Sequence, residues 1–394
     1  MRFSIIFSII IIIASCSQQK KDLLEFDPRS TNVKTIKLSE IADDISYIIL
    51  DDSVPIGFIN SNIRCISNSI FFSVLDVGIL EYNRKGEFKK KIGSIGRGPG
   101  EYTSYVDFTV DETSGTVYIR DRGGIIIAYS EMGTYSRSFS LPGIADHIRT
   151  IELKDSRIFV FNYLQFEGVK YSWIVLDTLG NIIDKKERSE PIFTSRFSGS
   201  YGTYKYRDKL AYWNSYSDTV LSFSPDLSTE VSLLITPGEH RLPKSEVDVS
   251  DLSQYLHVWQ ILETNRFFII TCTYKKPSLV LIDKNNKKSY MSLLAVERKG
   301  ITSDIVGGLE NDFDSGTKFL PKGYYEENGR EYLIGLVEPF NLITHISGSE
   351  FKKMIPKYPE RKDELKKLAK NLKETDNPVL MIVKLKKTPF NHKN

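Results

Sequence analysis

Cysteine and histidine are scarce in this sequence, and their spacing does not form a metal site. The 394 residues include three cysteines and five histidines. There is no Cys-x-x-Cys pair and no His-x-x-x-His pair, the spacings that metal ligands usually take. There is also no Gly-x-Ser-x-Gly string and no Ser/His/Asp set that can be singled out. We therefore expect no metal and no cofactor, and the sequence assigns no catalytic residue.

An excess of one charge is also missing. Lys and Arg together number 53, and Asp and Glu together number 50. A chain so close to neutral gives no electrostatic reason to expect a nucleic acid as partner. Aromatic residues, in contrast, make up 12% of the chain. Tyr and Phe favour strands, so the composition indicates an all-β body.

The N-terminal residues resemble a bacterial lipoprotein signal. Arg2 precedes an apolar run from Phe3 to Ala14, which is shorter than the about 20 residues of a spanning helix. Small residues then stand directly before Cys16. We predict a signal peptide over 1–15, lipidation of Cys16 and a tether over 16–32, which would hold the protein on the cell envelope at the outer membrane. The alternative is an ordinary secretory signal in which Cys16 is incidental.

The other two cysteines are Cys65 and Cys272, which lie far apart in the sequence. An extracytoplasmic location permits a disulfide between them. Two buried free thiols on strands are the alternative that we favour.

A repeat organises most of the chain. Ile70, Tyr82 and Gly86 recur as Val117, Tyr129 and Gly133, at a constant offset of 47 residues. Gly180 continues the same offset in a third copy. Each copy reads as short strands separated by turns, and weaker copies follow, the last over residues 329–346, to give six units. Units of three to four antiparallel strands at this spacing predict a six-bladed β-propeller over 33–394, whereas stacked sandwiches would need no constant offset.

Two isolated strand patterns lie at opposite ends of the predicted propeller. They are residues 44–50 and 377–386, and we expect them to close the ring together. Before the second lies a helical insertion over about 349–376, in which leucines recur at helical spacing and Pro356 and Pro359 interrupt the pattern. The lysines of this insertion indicate either a solvated cover on the propeller or contact with a membrane surface.

One string in the first unit is specific. Residues 95–102 read "IGRGPGEY", and the strings at 110–121, 217–223 and 377–386 accompany it. With them the chain resembles the six-bladed β-propeller lipoproteins of Bacteroidetes, a group that is similar in pattern to NHL-repeat propellers. The resemblance implies the fold and an envelope location. It implies no particular reaction.

The "IGRGPGEY" loop does not match a phosphate-binding loop, because Pro99 stands where the lysine of such a loop would be. Its glycines permit positive φ and Pro99 fixes a turn, so we interpret it as a connection between blades. Arg97 and Glu101 would either pair with each other or contact a ligand in the central channel. Tyr102 is expected to pack in the core.

The ligand site of a propeller is expected in the funnel at one end of its channel, among inter-blade loops and the starts of inner strands. The candidate residues are Arg97, Glu101, Arg120, Asp121, Arg122 and Asp218. Each has a plainer interpretation as a turn residue or a surface ion pair. Trp173, Trp213 and Trp259 are either sugar-stacking platforms or core residues.

Three functions fit these observations. The first is a lipid-anchored binding or interaction module that acts as a monomer. Its expected partners, besides the membrane, are envelope proteins or glycans. The second is a hydrolase or lyase that acts on a polysaccharide or peptide through funnel residues. The third is a scaffold of an outer-membrane assembly. The sequence favours the first and makes catalysis the less expected alternative.

Overall fold

The structure is a computed structural model. It describes residues 23–59, 63–66, 68–103, 106–141, 150–162, 170–188, 199–299 and 302–387. The predicted signal peptide and Cys16 lie outside these residues.

The described chain begins with a strap along the outer wall of the propeller. It comprises β1 (Glu25–Phe26), β2 (Asn32–Val33), the short helix α1 (Leu38–Ile41) and β3 (Ala42–Ile49). Phe26 is fully buried. The strap therefore packs on the propeller within the range 16–32 that the sequence assigned to the tether.

Five four-stranded blades follow in chain order. Blade 1 has β4 (Arg64–Ile66), β5 (Ser69–Val74), β6 (Gly78–Asn83) and β7 (Phe88–Ile92). Blade 2 has β8 (Asp107–Val110), β9 (Val117–Arg120), β10 (Ile125–Tyr129) and β11 (Tyr135–Ser140). Blade 3 has β12 (Thr150–Lys154), β13 (Arg157–Phe161), β14 (Tyr171–Asp177) and β15 (Ile182–Glu187).

Blades 4 and 5 each gain a fifth strand from the strap. Blade 4 has β16 (Tyr201–Tyr206), β17 (Lys209–Asn214), β18 (Thr219–Phe223) and β19 (Thr229–Ile235). Blade 5 has β20 (His257–Glu263), β21 (Phe267–Tyr274), β22 (Lys276–Asp283) and β23 (Ser289–Leu293). β1 pairs in parallel with β19, and β2 pairs in parallel with β23. A hairpin of β24 (Ala295–Lys299) and β25 (Thr302–Val306) follows blade 5.

Blade 6 closes the ring with strands from both ends of the chain. It comprises β26 (Gly323–Glu327), β27 (Arg330–Val337), β28 (Val379–Leu385) and β3, in that order. β28 pairs antiparallel with β3, with Val379 opposite Ile49 and Val383 opposite Ile45. The six-bladed propeller and its closure by the two end strands are confirmed.

Three helices lie between β27 and β28, as the sequence predicted for this region. They are α2 (Pro339–Ser347), α3 (Ser349–Lys353) and α4 (Pro359–Lys370). α2 begins earlier than the predicted insertion, in a segment that the repeat alignment assigned to blade strands. Pro339 lacks an amide proton for a strand ladder but suits the first turn of a helix, and Leu342 is fully buried.

The core consists of apolar layers between neighbouring blades, because each blade buries both of its faces. Phe72, Tyr82, Phe108 and Tyr129 are fully buried in such layers. The innermost strands β4, β8, β12, β16, β20 and β26 surround the central channel. These strands carry the polar residues described next.

Candidate functional site

A cavity of about 480 Å³ occupies the central channel. Its wall is built from the inner strands, and the charged side chains on this wall have both signs. The basic ones are Arg64, Arg84, Lys154, Lys205, Arg207 and Lys322. The acidic ones are Asp111, Glu112, Glu152, Asp155, Glu263, Glu326 and Glu327. The volume falls within the range of about 300–1,000 Å³ that is usual for ligand pockets.

The cavity reaches the turns that follow inner strands. Residues 111–113, 155–156 and Arg207 belong to these turns and line it. The sequence placed the ligand site at the starts of the inner strands. The cavity therefore lies toward the other end of the channel.

Arg64 and Glu152 form the central ion pair of the wall. The Arg64 Nη1 donates to Glu152 Oε2 at 2.6 Å, and its Nη2 lies 4.0 Å from Asp107 Oδ1. The Glu152 side chain is 2% exposed. Arg64 is carried by blade 1, Asp107 by blade 2 and Glu152 by blade 3, so this one guanidinium links three blades across the channel.

Glu152 has further partners on both of its oxygens. Its Oε1 accepts hydrogen bonds from Thr109 Oγ1 at 2.6 Å and from the Leu153 amide at 3.2 Å. Thr203 Oγ1 donates to its Oε2 at 3.3 Å. Burial alone would raise the pKa of Glu152, but Arg64, Lys205 and the Thr109 hydroxyl outweigh it and lower the pKa to about 2. Glu152 is thus held as a carboxylate that orients its cations.

Lys205 differs from Arg64 because its ion pairs are long. Its Nζ lies 3.4 Å from Glu152 Oε1 and 3.6 Å from Glu112 Oε1. An N–H···O hydrogen bond is usually about 2.7–3.2 Å long. The ammonium is positioned by two carboxylates while it keeps donors for another acceptor in the cavity.

Glu263, which lines the cavity, forms a second ion pair, and tyrosines line the cavity as well. Lys284 Nζ donates to Glu263 Oε1 at 2.6 Å and to the Thr264 carbonyl at 2.7 Å. Burial lowers the pKa of Lys284 although Glu263 opposes that shift. Tyr204 and Tyr324 line the cavity too. The cavity thus combines charges of both signs with aromatic side chains, which suits a polar ligand better than an apolar ligand.

The six residues that the sequence predicted lie elsewhere. Arg97 is exposed, and the Glu101 carboxylate accepts a hydrogen bond from the Gly98 amide at 2.7 Å inside its own loop. Tyr102 is fully buried and donates to the Ile92 carbonyl at 2.8 Å. A Cβ on Gly96 would lie 1.8 Å from Glu101 Oε2, so the glycine permits this compact loop.

The remaining four lie at the ends of second strands or in the loops after them. Arg120 stands opposite Asp107, the first residue of β8, and is followed by Asp121 and by the exposed Arg122. Asp121 accepts a hydrogen bond from Thr103 Oγ1 at 2.5 Å. Asp218 forms an ion pair with Arg241. None of the six is among the residues that line the cavity. Their role as ligand contacts stays a prediction.

The two cysteines in the described ranges are not joined by a disulfide. Cys65 and Cys272 are free thiols, and burial raises the pKa of each to about 12.

Of the three tryptophans, Trp213 is buried in the core, and Trp173 packs edge-on against Phe223 at 5.2 Å between ring centroids. Trp259 is 47% exposed and donates to Thr273 Oγ1. Of the three, Trp259 alone keeps a large exposed ring surface.

Sequence reasoning missed Arg64, Glu152 and Lys205. Their partners come from different blades and share no motif. The available signal was Glu152 itself, a carboxylate between Ile151 and Leu153 in an otherwise buried strand. Across the described ranges between residues 23 and 387, no three His, Cys, Asp or Glu side chains group as metal ligands. No helix in the same ranges is long and apolar enough to cross a membrane.

The fold and the channel define a six-bladed β-propeller with a polar, mixed-charge central cavity. The chain belongs to the family described as a domain of unknown function, DUF4934, whose model matches residues 24–384. No curated protein matches it.

Two solved structures from Bacteroides are similar to this chain. One is a Bacteroides fragilis protein described as exported, with 18% identity, a TM-score of 0.67, and coverage of 92% of this chain and 99% of that one. The other is a member of the DUF4221 family from Bacteroides vulgatus, with 12% identity, a TM-score of 0.47, and coverage of 88% and 97%. At 18% identity, the similarity to the Bacteroides fragilis protein supports the fold alone.

Proposed function

We propose that this protein is a lipid-anchored binding module of the cell envelope whose propeller takes a small polar ligand into its central cavity. The observation that carries the proposal is the Arg64–Glu152–Lys205 arrangement in the cavity wall. Glu152 positions the side chains of Arg64 and Lys205, and the Lys205 ammonium still has N–H donors for a ligand. A ligand with carboxylate, phosphate or dense hydroxyl groups would accept hydrogen bonds from these donors. Short peptides and glycans of the envelope carry such groups.

The anchor part of the proposal rests on Cys16 and the apolar run before it. It agrees with the exported description of the similar Bacteroides fragilis protein. In cells, the Cys16→Ser variant should leave the membrane fraction, whereas Cys65→Ser should remain in it. Membrane retention of both variants would contradict lipidation at Cys16.

The hydrolase or lyase alternative lacks an observation of comparable weight. A general acid in the wall would need a carboxyl group that stays protonated near neutral pH. Glu152, the most buried carboxylate of the cavity wall, is instead held ionised by Arg64 and Lys205. If the protein were instead a scaffold of an outer-membrane assembly, its partners would bind the outside of the ring.

Ligand binding is tested by thermal unfolding of the chain that starts after Cys16, against a panel of short peptides and oligosaccharides. A ligand at 100 times its Kd stabilises a protein by about 2.7 kcal/mol, which corresponds to a Tm rise of roughly 3 °C for a chain of this length. The Lys205→Ala variant should lose this rise. Lys288→Ala, which removes an exposed lysine outside the cavity, should keep it. A rise that survives Lys205→Ala would place the ligand elsewhere.

A further inference from the structure

Apolar side chains are exposed along the outer wall where blades 4 and 5 meet. Val33 is 62% exposed, Leu293 45% and Leu23 36%. We call these three residues the outer-wall patch. Large apolar side chains grouped on a surface mark an interaction site more often than isolated ones do.

The register of the strands brings members of the patch together. Val33 of β2 lies opposite Met291 of β23, and Leu293 follows two residues later on the same strand. Paired residues and residues two apart project from the same face of a sheet. Met291 belongs to the apolar layer between blades 4 and 5. Val33 and Leu293 therefore extend that layer out to the surface.

The described part of the chain begins beside the outer-wall patch. Leu24 packs against the layer that contains Met291, and Phe26 is fully buried in it. β1 fixes this entry by pairing Glu25 with Leu234 and Phe26 with Ile235. Leu23, the first described residue, therefore lies at the outer edge of blade 4.

The short link to Cys16 limits how the propeller can lie. Six residues separate Cys16 from Leu23, and the seven Cα-to-Cα steps of this link span at most about 25 Å when extended. Four strands about 4.8 Å apart on each side of a channel make the ring more than about 30 Å across. A lipid on Cys16 would therefore keep the blade 4–5 wall near the bilayer and the opposite wall, formed by blades 1 and 2, away from it.

We infer that the outer-wall patch is the surface on which the propeller rests against the membrane that holds its own Cys16. This inference rests on the proposed lipid anchor. The apolar side chains enter the interfacial region of the bilayer, and the anchor supplies most of the affinity. The ring then lies on its side, so both ends of the channel stay open to solutes.

Depth-dependent fluorescence quenching tests this orientation in the lipoprotein purified from membranes and reconstituted in vesicles. A fluorophore is attached at Val33→Cys, at Leu293→Cys or, as control, at Met132→Cys. Met132 is 74% exposed in the turn between β10 and β11 of blade 2, across the ring from blade 5. Cys272 is buried and Cys65 half-buried, and burial raises the pKa of both thiols to about 12, so the exposed introduced thiol is labelled in preference to them.

Brominated phospholipids should quench the probes at 33 and 293 several-fold more than the probe at 132. Equal quenching at all three positions, or stronger quenching at 132, overturns the inference. If probes 33 and 293 are shielded from aqueous iodide without lipid quenching, a second copy or another protein covers the patch and the inference is also wrong. Mass spectrometry of Cys16 separates the two proposals. A missing acyl chain overturns both, whereas an acylated chain without differential quenching overturns only the orientation.

Discussion

At the scale of single residues, the channel is held together by a carboxylate that is more buried than its cations. The Glu152 side chain is 2% exposed, and that of Arg64 is 16% exposed. Removing one partner of such a pair leaves the other as an uncompensated buried charge, which typically destabilises a protein by about 3–5 kcal/mol. The stability of the channel wall should therefore depend strongly on Glu152.

The Glu152→Gln variant should lower the free energy of unfolding by about 3 kcal/mol at pH 7, measured by urea denaturation. The pKa of Glu152 is lowered from 4.5 to about 2 in the folded protein. Its stabilising contribution is thus present above pH 4.5 and is lost as the pH falls toward 2. The difference between wild type and variant should narrow over that range.

The matched control is Glu112→Gln, because the Glu112 side chain is 61% exposed and also faces Lys205. An exposed pair of this kind contributes about 0–1 kcal/mol. Equal losses for the two variants at pH 7, or a Glu152→Gln effect that does not depend on acid, would contradict this account.

The sequence indicated little of the cavity, for a physical reason. Arg64 and Glu152 are 88 residues apart and belong to different blades, so no local spacing records their contact. The residues it did single out, such as Asp121, followed strands in recognisable turns. Turn chemistry is local and readable from a sequence, whereas a contact across the ring depends on how the blades are arranged.

At the scale of elements, the repeat is set by glycine turns. Gly86, Gly133 and Gly180 have φ values of +86°, +79° and +95°. Each lies in the turn between the third and fourth strands of its blade. Residues other than glycine adopt such φ values at a cost of roughly 1–2 kcal/mol. A backbone requirement therefore explains why these glycines kept the 47-residue offset that predicted the blades.

Gly86→Ala should destabilise the protein well beyond the cost of its φ value. A Cβ at this position would lie 2.1 Å from the Ile49 carbonyl oxygen of β3, so blades 1 and 6 would have to separate. We expect a loss of about 3 kcal/mol or more in the free energy of unfolding. Gly329→Ala is the control, since its φ is +67° and nothing lies within 4 Å of the added Cβ.

That control should lose only about 1 kcal/mol. Both variants are compared by their midpoints in chemical denaturation. If they lose the same amount, the contact between the Gly86 turn and β3 does not contribute to the packing of the two blades.

Two elements were not predicted correctly from sequence. The inner strand of blade 1, Arg64–Ile66, was left out of its repeat unit, because it is short and carries a polar residue toward the channel. α2 (Pro339–Ser347) lies in the last weak copy of the repeat, which the sequence assigned to a blade. An apolar run of that length fits a strand or a buried helix equally well, and here tertiary packing decides in favour of the helix.

At the scale of the whole molecule, one strand joins the two ends of the chain. β28 lies between β27 and β3 and is paired with both along its length. Six of its seven residues are buried. Without it, the two remaining neighbours in blade 6 would present unpaired edges, and the apolar layers beside blade 6 would open to water.

A chain that ends at Asp376, and therefore lacks β28, should fail to fold into a closed ring. We expect it to aggregate or to unfold without a cooperative thermal transition, because the strands of blade 6 cannot pair around the gap. A chain that ends at Lys387 keeps β28 and should melt like the full-length protein, which controls for truncation itself. Size-exclusion chromatography and circular dichroism distinguish the two. A monomeric, cooperatively melting chain without β28 would mean that five blades and the strap close the propeller, and that the terminal strand serves something other than ring closure.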